Sequence, residues 1–195
     1  MSINDLKFVV MFPLTIPHLI VLRFSSKRNL ILEDTIRWHK LRPMHSDKAN
    51  WKYISKMLIF NKSYRKQLYY RLGRIRHLIS LLLPAHFEDF VEGNDHIGGG
   101  LVIVHFYGVA INKYARIGKN CTILQHSLIG FSKGGVPIIG DNVYIGVGAA
   151  IFGKIKIGNN VKIGAGTTVF QDVPDNCTVV GPKAKYIKNE NIHHL

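Results

Sequence analysis

Residues 139–174 read IGDNVY, IGVGAA, IFGKIK, IGNNVK, IGAGTT and VFQDVP, six consecutive blocks of six. Each block opens on an aliphatic residue: Ile139, Ile145, Ile151, Ile157, Ile163 and Val169. Glycine follows at Gly140, Gly146, Gly158 and Gly164. Upstream the same rule holds at Ile117, Ile123 and Ile129, and before those at Ile97, Ile103 and Ile111. The phase slips by two residues before Ile111 and by four between Ile129 and Ile139. A helix repeats every 3.6 residues and a strand every two, so a strict six indicates a solenoid of hexapeptide repeats.

The period dictates the geometry. Each hexad is a short strand plus a corner, and three hexads close a triangular coil of about 18 residues. The aliphatic residue at position one points inward and stacks on its equivalents above and below. Position five (Cys121, Val143, Ala149, Ile155, Val161, Thr167) is small or β-branched and fills the remaining interior. Glycine at position two suits the corners. Twelve hexads give about four coils.

Outward from the repeats the composition changes. Only Gly73 and Gly93 of the 18 glycines precede His96. Aromatic and long basic residues dominate the first half instead. This divides the 195 residues into a helical domain, 1–92, and a β-helix domain with its tail, 93–195. The fold class is α+β: a short N-terminal α-helical domain followed by a parallel β-helix. Helices are expected at Asn29–Leu41, stopped by Pro43, at Trp51–Ile59, and as one long segment over Ser63–Leu83, basic on one face and closed by Pro84.

The net charge of +14 includes nine Lys/Arg and no acid between Lys48 and Phe87. Such a stretch is either a solvated helical face or a surface for phosphate or an anionic membrane. No nucleic-acid-reading motif accompanies it. Cys121 and Cys177 form no disulfide framework and no zinc-ligand spacing, so reduced thiols, a cytoplasmic location and no required metal are expected. Phe8–Leu22 is apolar, but its roughly 15 residues fall short of the ~20 needed to span a bilayer. It reads as a helix packed within an assembly, with a peripheral contact at the inner membrane face as the alternative.

The stretch Ile97–Phe131 (IGGGLVIVHFYGVAINKYARIGKNCTILQHSLIGF) resembles the serine acetyltransferases and related hexapeptide acyltransferases, including those of surface-polysaccharide clusters. Its anchors are Ile97-Gly98, His105, Gly108, Ile117, Ile123-Leu124-Gln125 and Gly130, with Asp172-Val173-Pro174 at the far end. The resemblance covers about 90 residues. It implies left-handed winding, although parallel crossovers are otherwise right-handed. It further implies a homotrimer with acetyl-CoA in the groove between neighbouring β-helices. The first half is similar, more loosely, to the short cap of the polysaccharide-cluster members, through Glu33-Asp34…Arg37-Trp38 and Tyr64-Arg65…Tyr69-Tyr70-Arg71.

On this resemblance His105 is the catalytic base, an imidazole suited to taking a hydroxyl proton near neutral pH. Gly130 matches the position near the thioester carbonyl, and Gly146, Val147 and Ala165 match those lining the pantetheine arm. Lys183, Lys185 and Lys188 are candidates for the coenzyme phosphates. Gln125 falls one coil from His105, which makes its neighbour His126 a candidate for orienting substrate. Two departures bear on the acceptor. Val104 stands where serine-specific enzymes carry Asp, and the loop Phe131–Ile138 (FSKGGVPI) has Val136 where they carry a second His. These favour an acetyl-CoA-dependent O-acetyltransferase acting on a hydroxyl of a glycan or its precursor. Serine O-acetylation is the alternative, and a non-catalytic β-helix scaffold a third.

Overall fold

The structure, a computed structural model, describes residues 3–43, 49–85, 96–132 and 134–182. Residues 97–179 wind into a three-faced parallel solenoid. One face stacks β3 (Arg116–Ile117), β6 (Ile138–Ile139) and β9 (Lys156–Ile157), with Ile97 and Val173 bridged to its two ends. The second face stacks β1 (Val102–Val104), β4 (Thr122–Leu124), β7 (Tyr144–Ile145), β10 (Lys162–Ile163) and β12 (Thr178–Val179). The third stacks β2 (Ala110–Ile111), β5 (Leu128–Gly130), β8 (Ala150–Phe152) and β11 (Thr168–Val169). Position-one residues align as expected, Ile103 with Ile123 and Ile145, and Ile111 with Ile129 and Ile151. Four coils are complete, and a four-residue step from Val169 to Val173 begins a fifth that ends at Val179.

Two kinds of residue make the corners, and only one was apparent from composition. Position-two glycine allows close approach between coils: a Cβ on Gly146 would lie 2.7 Å from the Ala165 nitrogen. The left-handed backbone falls instead at position four, at Asn120, Asn142, Asn160 and Asn176, with φ of 57°, 58°, 55° and 61°. Asparagine tolerates this region better than most residues, and its amide also ties coils together. Asn142 Nδ2 donates to Asn160 Oδ1 (3.1 Å), and Asn160 Nδ2 to Asn176 Oδ1 (2.9 Å). Inside, Cys121 is buried, its thiol pushed up to about 11 by desolvation, and both cysteines are free.

The helical half comprises α1 (Ile3–Met11), a 3₁₀ turn, α2 (Ile16–Phe24), α3 (Arg28–Leu41), α4 (Trp51–Phe60), α5 (Lys62–Leu72) and a short α6 (Arg76–Ile79). The single helix expected over Ser63–Leu83 is broken at Gly73, whose φ of 61° ends α5. Nor does α5 have a basic outer face: Tyr64 through Leu72 are all buried between α3, α4 and the first coil. Three of the nine basic residues, Arg65, Lys66 and Arg71, are therefore internal. The boundary placed at 92/93 lies outside the described residues.

Their function is to finish the solenoid. A first coil would otherwise present unpaired backbone groups, the hazard of any sheet edge. Arg71 donates from Nε and Nη2 to the Asp34 carboxylate (2.9 and 3.1 Å), and from Nη1 and Nη2 to the Ile97 and Gly98 carbonyls (2.8 and 2.6 Å). Asp34 accepts from the Leu101 N–H (2.9 Å) and from Gln67 Nε2 (2.9 Å). Gln67 Nε2 also donates to the Leu101 carbonyl (2.7 Å), and its Oε1 accepts from the Ile103 N–H (3.0 Å) and from Trp38 Nε1 (3.1 Å). Burial raises the Asp34 pKa, against the opposing pull of Arg71, Gln67 and the Leu101 N–H.

The N-terminal apolar stretch is longer than expected. Pro13 and Pro17 each sit in the first turn of a new helical segment, where a missing N–H costs nothing. Ile3–Phe24 thus forms a 22-residue helical rod, long and apolar enough by length and composition to cross a membrane. One stripe of it is anchored. Thr15 donates to the Phe12 carbonyl (2.7 Å) and lies 3.1 Å from Ser55 Oγ. His18 Nδ1 lies 3.0 Å from the Leu14 carbonyl, and its Nε2 lies 2.7 Å from the Tyr69 hydroxyl.

Burial lowers the His18 pKa from 6.5 to about 4, with Arg65 acting in the same direction and the Leu14 carbonyl opposing. Below 6.5 the unfolded chain binds a proton that the folded chain refuses, so stability falls as pH drops from 6.5 towards about 4. The loss amounts to about 3 kcal/mol. Urea unfolding across this range should show it, and His18→Leu should remove that slope while lowering stability at pH 7.

Candidate active site

Every coil turns the edge between the second and third faces at position three or four of its hexad. Here the sequence-derived candidates converge. His105 and Gly108 are on the first coil, Gln125 and His126 on the second, Gly146 and Val147 on the third, and Ala165 on the fourth. Backbone hydrogen bonds stitch this edge: His126 N–H to the Tyr107 carbonyl (2.8 Å), Gly148 N–H to Gln125 (3.0 Å) and Gly166 N–H to Val147 (2.8 Å). Coils are about 4.8 Å apart, so His105 and Ala165 are separated by about 14 Å along this edge.

His105, Tyr107, Gly108, Gln125 and His126 line an open cleft of about 620 Å³. His105 is exposed in it, which gives no support to the scaffold reading. The backbone around it is unusual. His105 has φ 49° and His126 has φ 59°, and a non-glycine residue held there costs on the order of 1–3 kcal/mol. The Tyr107 N–H closes a tight turn onto the His105 carbonyl (2.7 Å). The two-residue slip seen in the sequence is this turn: Phe106 and Tyr107 are the extra residues, with Phe106 buried in the solenoid core and Tyr107 exposed. Opposite, the His126 ring lies directly against Gly108, in space a side chain there would occupy. Tyr107 is the cleft residue that sequence reasoning missed. Its signal was the phase slip, since extra residues must depart from the regular path of a stacked coil.

Other candidates lie differently. Gly146 is buried, its missing Cβ admits the next coil, and its N–H donates to the Ile163 carbonyl (2.9 Å), so it offers a ligand no donor. Gly130 is at the far end of β5, paired with Phe152 and outside the cleft. A Cβ on Gly130 would meet only the Leu128 side chain, at an ordinary 3.4 Å, so packing within this chain does not demand glycine. Val104 packs against the helical cap and does not line the cleft. Lys183, Lys185 and Lys188 lie outside the described residues.

The bacterial transferase hexapeptide (six repeats) family matches residues 137–171. Among solved structures, Neisseria gonorrhoeae serine acetyltransferase in complex with serine is 30% identical with a TM-score of 0.65, covering 86% of this chain and 72% of that one. Soybean serine acetyltransferase apoenzyme is 31% identical with a TM-score of 0.59, covering 83% and 69%.

The chain belongs to the serine acetyltransferase family.

A curated serine acetyltransferase of Staphylococcus aureus is 42% identical over 143 residues, 69% of this chain and 63% of that protein. Probable serine acetyltransferase 5 of rice is 40% identical over 124 residues, 60% and 36%. The chain thus spans less than two thirds of these curated family members. The fold is the family's hexapeptide-repeat left-handed β-helix behind N-terminal helices.

Membership corrects the glycan acceptor and the polysaccharide-cluster affinity expected from sequence, because the relatives in both comparisons are serine acetyltransferases. The structure also weakens two of the grounds for that expectation. The acid-free stretch places three of its cations inside the protein, bonded to its own backbone or to Asp34. Position 104 faces the cap, so the valine there reports on packing and leaves the lining of the cleft unchanged.

Proposed function

We propose that this chain is an acetyl-CoA-dependent serine O-acetyltransferase. The observation that carries the proposal is His105 exposed in the edge cleft of a solenoid shared with a serine-bound relative at 30% identity. His105 would take the proton of the serine hydroxyl as its oxygen attacks the thioester carbonyl. The tetrahedral intermediate then collapses, the C–S bond breaks, and the imidazolium returns its proton to the departing coenzyme thiolate. The edge from His105 past Val147 to Ala165, about 14 Å long, suits the extended pantetheine arm. Exposed Phe131 and Phe170 are available to a neighbouring subunit, which supports a homotrimer. The free thiols suit a cytoplasmic setting.

The test is purified protein with acetyl-CoA, following thiol release and O-acetylserine with L-serine, L-threonine and amine-free 3-hydroxypropionate as acceptors. Turnover is expected on L-serine, with 3-hydroxypropionate at least about tenfold poorer, since a site that hydrogen-bonds an N–H discriminates against its absence. Inert L-serine would refute the proposal.

A further inference from the structure

The His105 turn is held from outside the solenoid. Phe106, the next residue, has both backbone groups gripped by α5: its N–H donates to Ser63 Oγ (3.2 Å), and its carbonyl accepts from Lys66 Nζ (2.9 Å). Its ring is buried in the solenoid core. Lys66 is only 5% exposed, and its Nζ sits 4.6 Å from the centre of the Tyr107 ring and 5.8 Å from that of Phe106. The peptide immediately after His105 is therefore fixed at three points, while His105 and Tyr107 project from either side of it into the cleft.

Such an arrangement needs a reason, because burying an ammonium costs several kcal/mol unless it is well bonded. A turn with φ 49° at a histidine needs external support, since left to itself the backbone would relax to a commoner region. Lys66 supplies that support. Its long stem spans from the helix to the loop, its charge strengthens the bond to the carbonyl, and the Tyr107 face adds a cation–π contact.

We infer that Lys66, seconded by Ser63, is a positioning residue: it holds the His105 turn in the conformation that presents the imidazole to the acceptor hydroxyl. The inference rests on the acetyl-transfer role proposed for His105 and deepens it, for it makes the helical cap part of the catalytic apparatus. Catalysis is steep in geometry, and an ångström of misplacement can cost about 10²-fold. Lys66→Met keeps the length and apolar stem but removes the donor.

The experiment measures kcat and KM for L-serine and acetyl-CoA in wild type, Lys66→Met, Lys66→Arg and Ser63→Ala. Thr35→Ala serves as control, breaking the cap's Thr35–Tyr64 hydroxyl contact (2.8 Å) without touching the turn. Lys66→Met should lower kcat roughly 10- to 100-fold with KM for acetyl-CoA within about twofold. Lys66→Arg should recover part of the loss, Ser63→Ala should lower kcat less, and Thr35→Ala should lose stability but keep kcat. Should Lys66→Met not fold, Ser63→Ala and Lys66→Arg carry the test. Unchanged kcat in the folded variants, or an equal fall in Thr35→Ala, would overturn the inference while leaving serine acetylation standing. Should wild type not acetylate serine, the role of the clamp is read from ¹³C-labelled histidine rings by NMR, with His105 assigned by its loss in His105→Ala. A shifted or broadened His105 signal in Lys66→Met or Ser63→Ala supports the clamp, and an unmoved one refutes it.

Discussion

His105→Ala is expected to cut serine acetylation by 10²- to 10⁴-fold in kcat, the usual worth of a positioned general base, or about 3–5 kcal/mol of barrier. KM for acetyl-CoA should change little, because the positions proposed for the coenzyme, Val147 and Ala165, lie two and three coils from the base. Stability should hold or rise slightly. His105 is exposed and in a left-handed conformation, so removing it takes no atom from either hydrophobic core. Alanine gains nothing at φ 49°, whereas His105→Gly would relax the strain and should raise the melting temperature while being equally inactive. Steady-state kinetics with differential scanning calorimetry on both variants separates the two effects. Retention of more than about a tenth of wild-type kcat in His105→Ala would remove the residue from the mechanism.

The second large effect is structural. Asp34→Ala should destabilise the protein by about 3–5 kcal/mol, because it leaves Arg71 as an uncompensated buried charge. It also orphans the Leu101 N–H, which donates to Asp34 at the open edge of the first coil. Many buried ion pairs can be replaced by apolar residues at no cost. Here the pair cannot, since Arg71 also satisfies the Ile97 and Gly98 carbonyls. Asp34→Leu/Arg71→Met should therefore remain well below wild type in urea denaturation. Recovery to wild-type stability would show that the backbone bonds contribute little. Because β1 and the His105 turn are held by the same cap, both variants should lose activity at temperatures where the solenoid itself is still folded.

The solenoid was legible because its order is one-dimensional. Each coil stacks only on its neighbours, so Ile103, Ile123, Ile145 and Ile163 had to recur in phase, and they align in the structure as their spacing required. Even the slips were informative: the two-residue slip is the turn bearing His105. What local pattern could not supply was the destination of polar residues in the cap. Lys66 and Arg71 read as members of a charged face. Their real partners, Phe106 and Asp34, are 40 and 37 residues away in sequence. No periodicity encodes such a distance.

The acceptor was misjudged for the same reason. Val104 was read as bearing on the acceptor because serine-specific members of the family carry Asp there. Strand β1 ends at Val104, and the left-handed turn at His105 (φ 49°) swings the next side chain away from the cap. Val104 accordingly faces the cap while His105 faces the cleft. By itself, then, the sequence determined the repeating fold, its core and the edge along which the candidate residues are arranged, because a stacked coil transmits local spacing directly into three-dimensional position. Only the tertiary structure decided how the cap closes the first coil and grips the His105 turn. Those contacts depend on where long polar side chains end once α5 is buried, and that is settled by which backbone groups would otherwise be left unpaired.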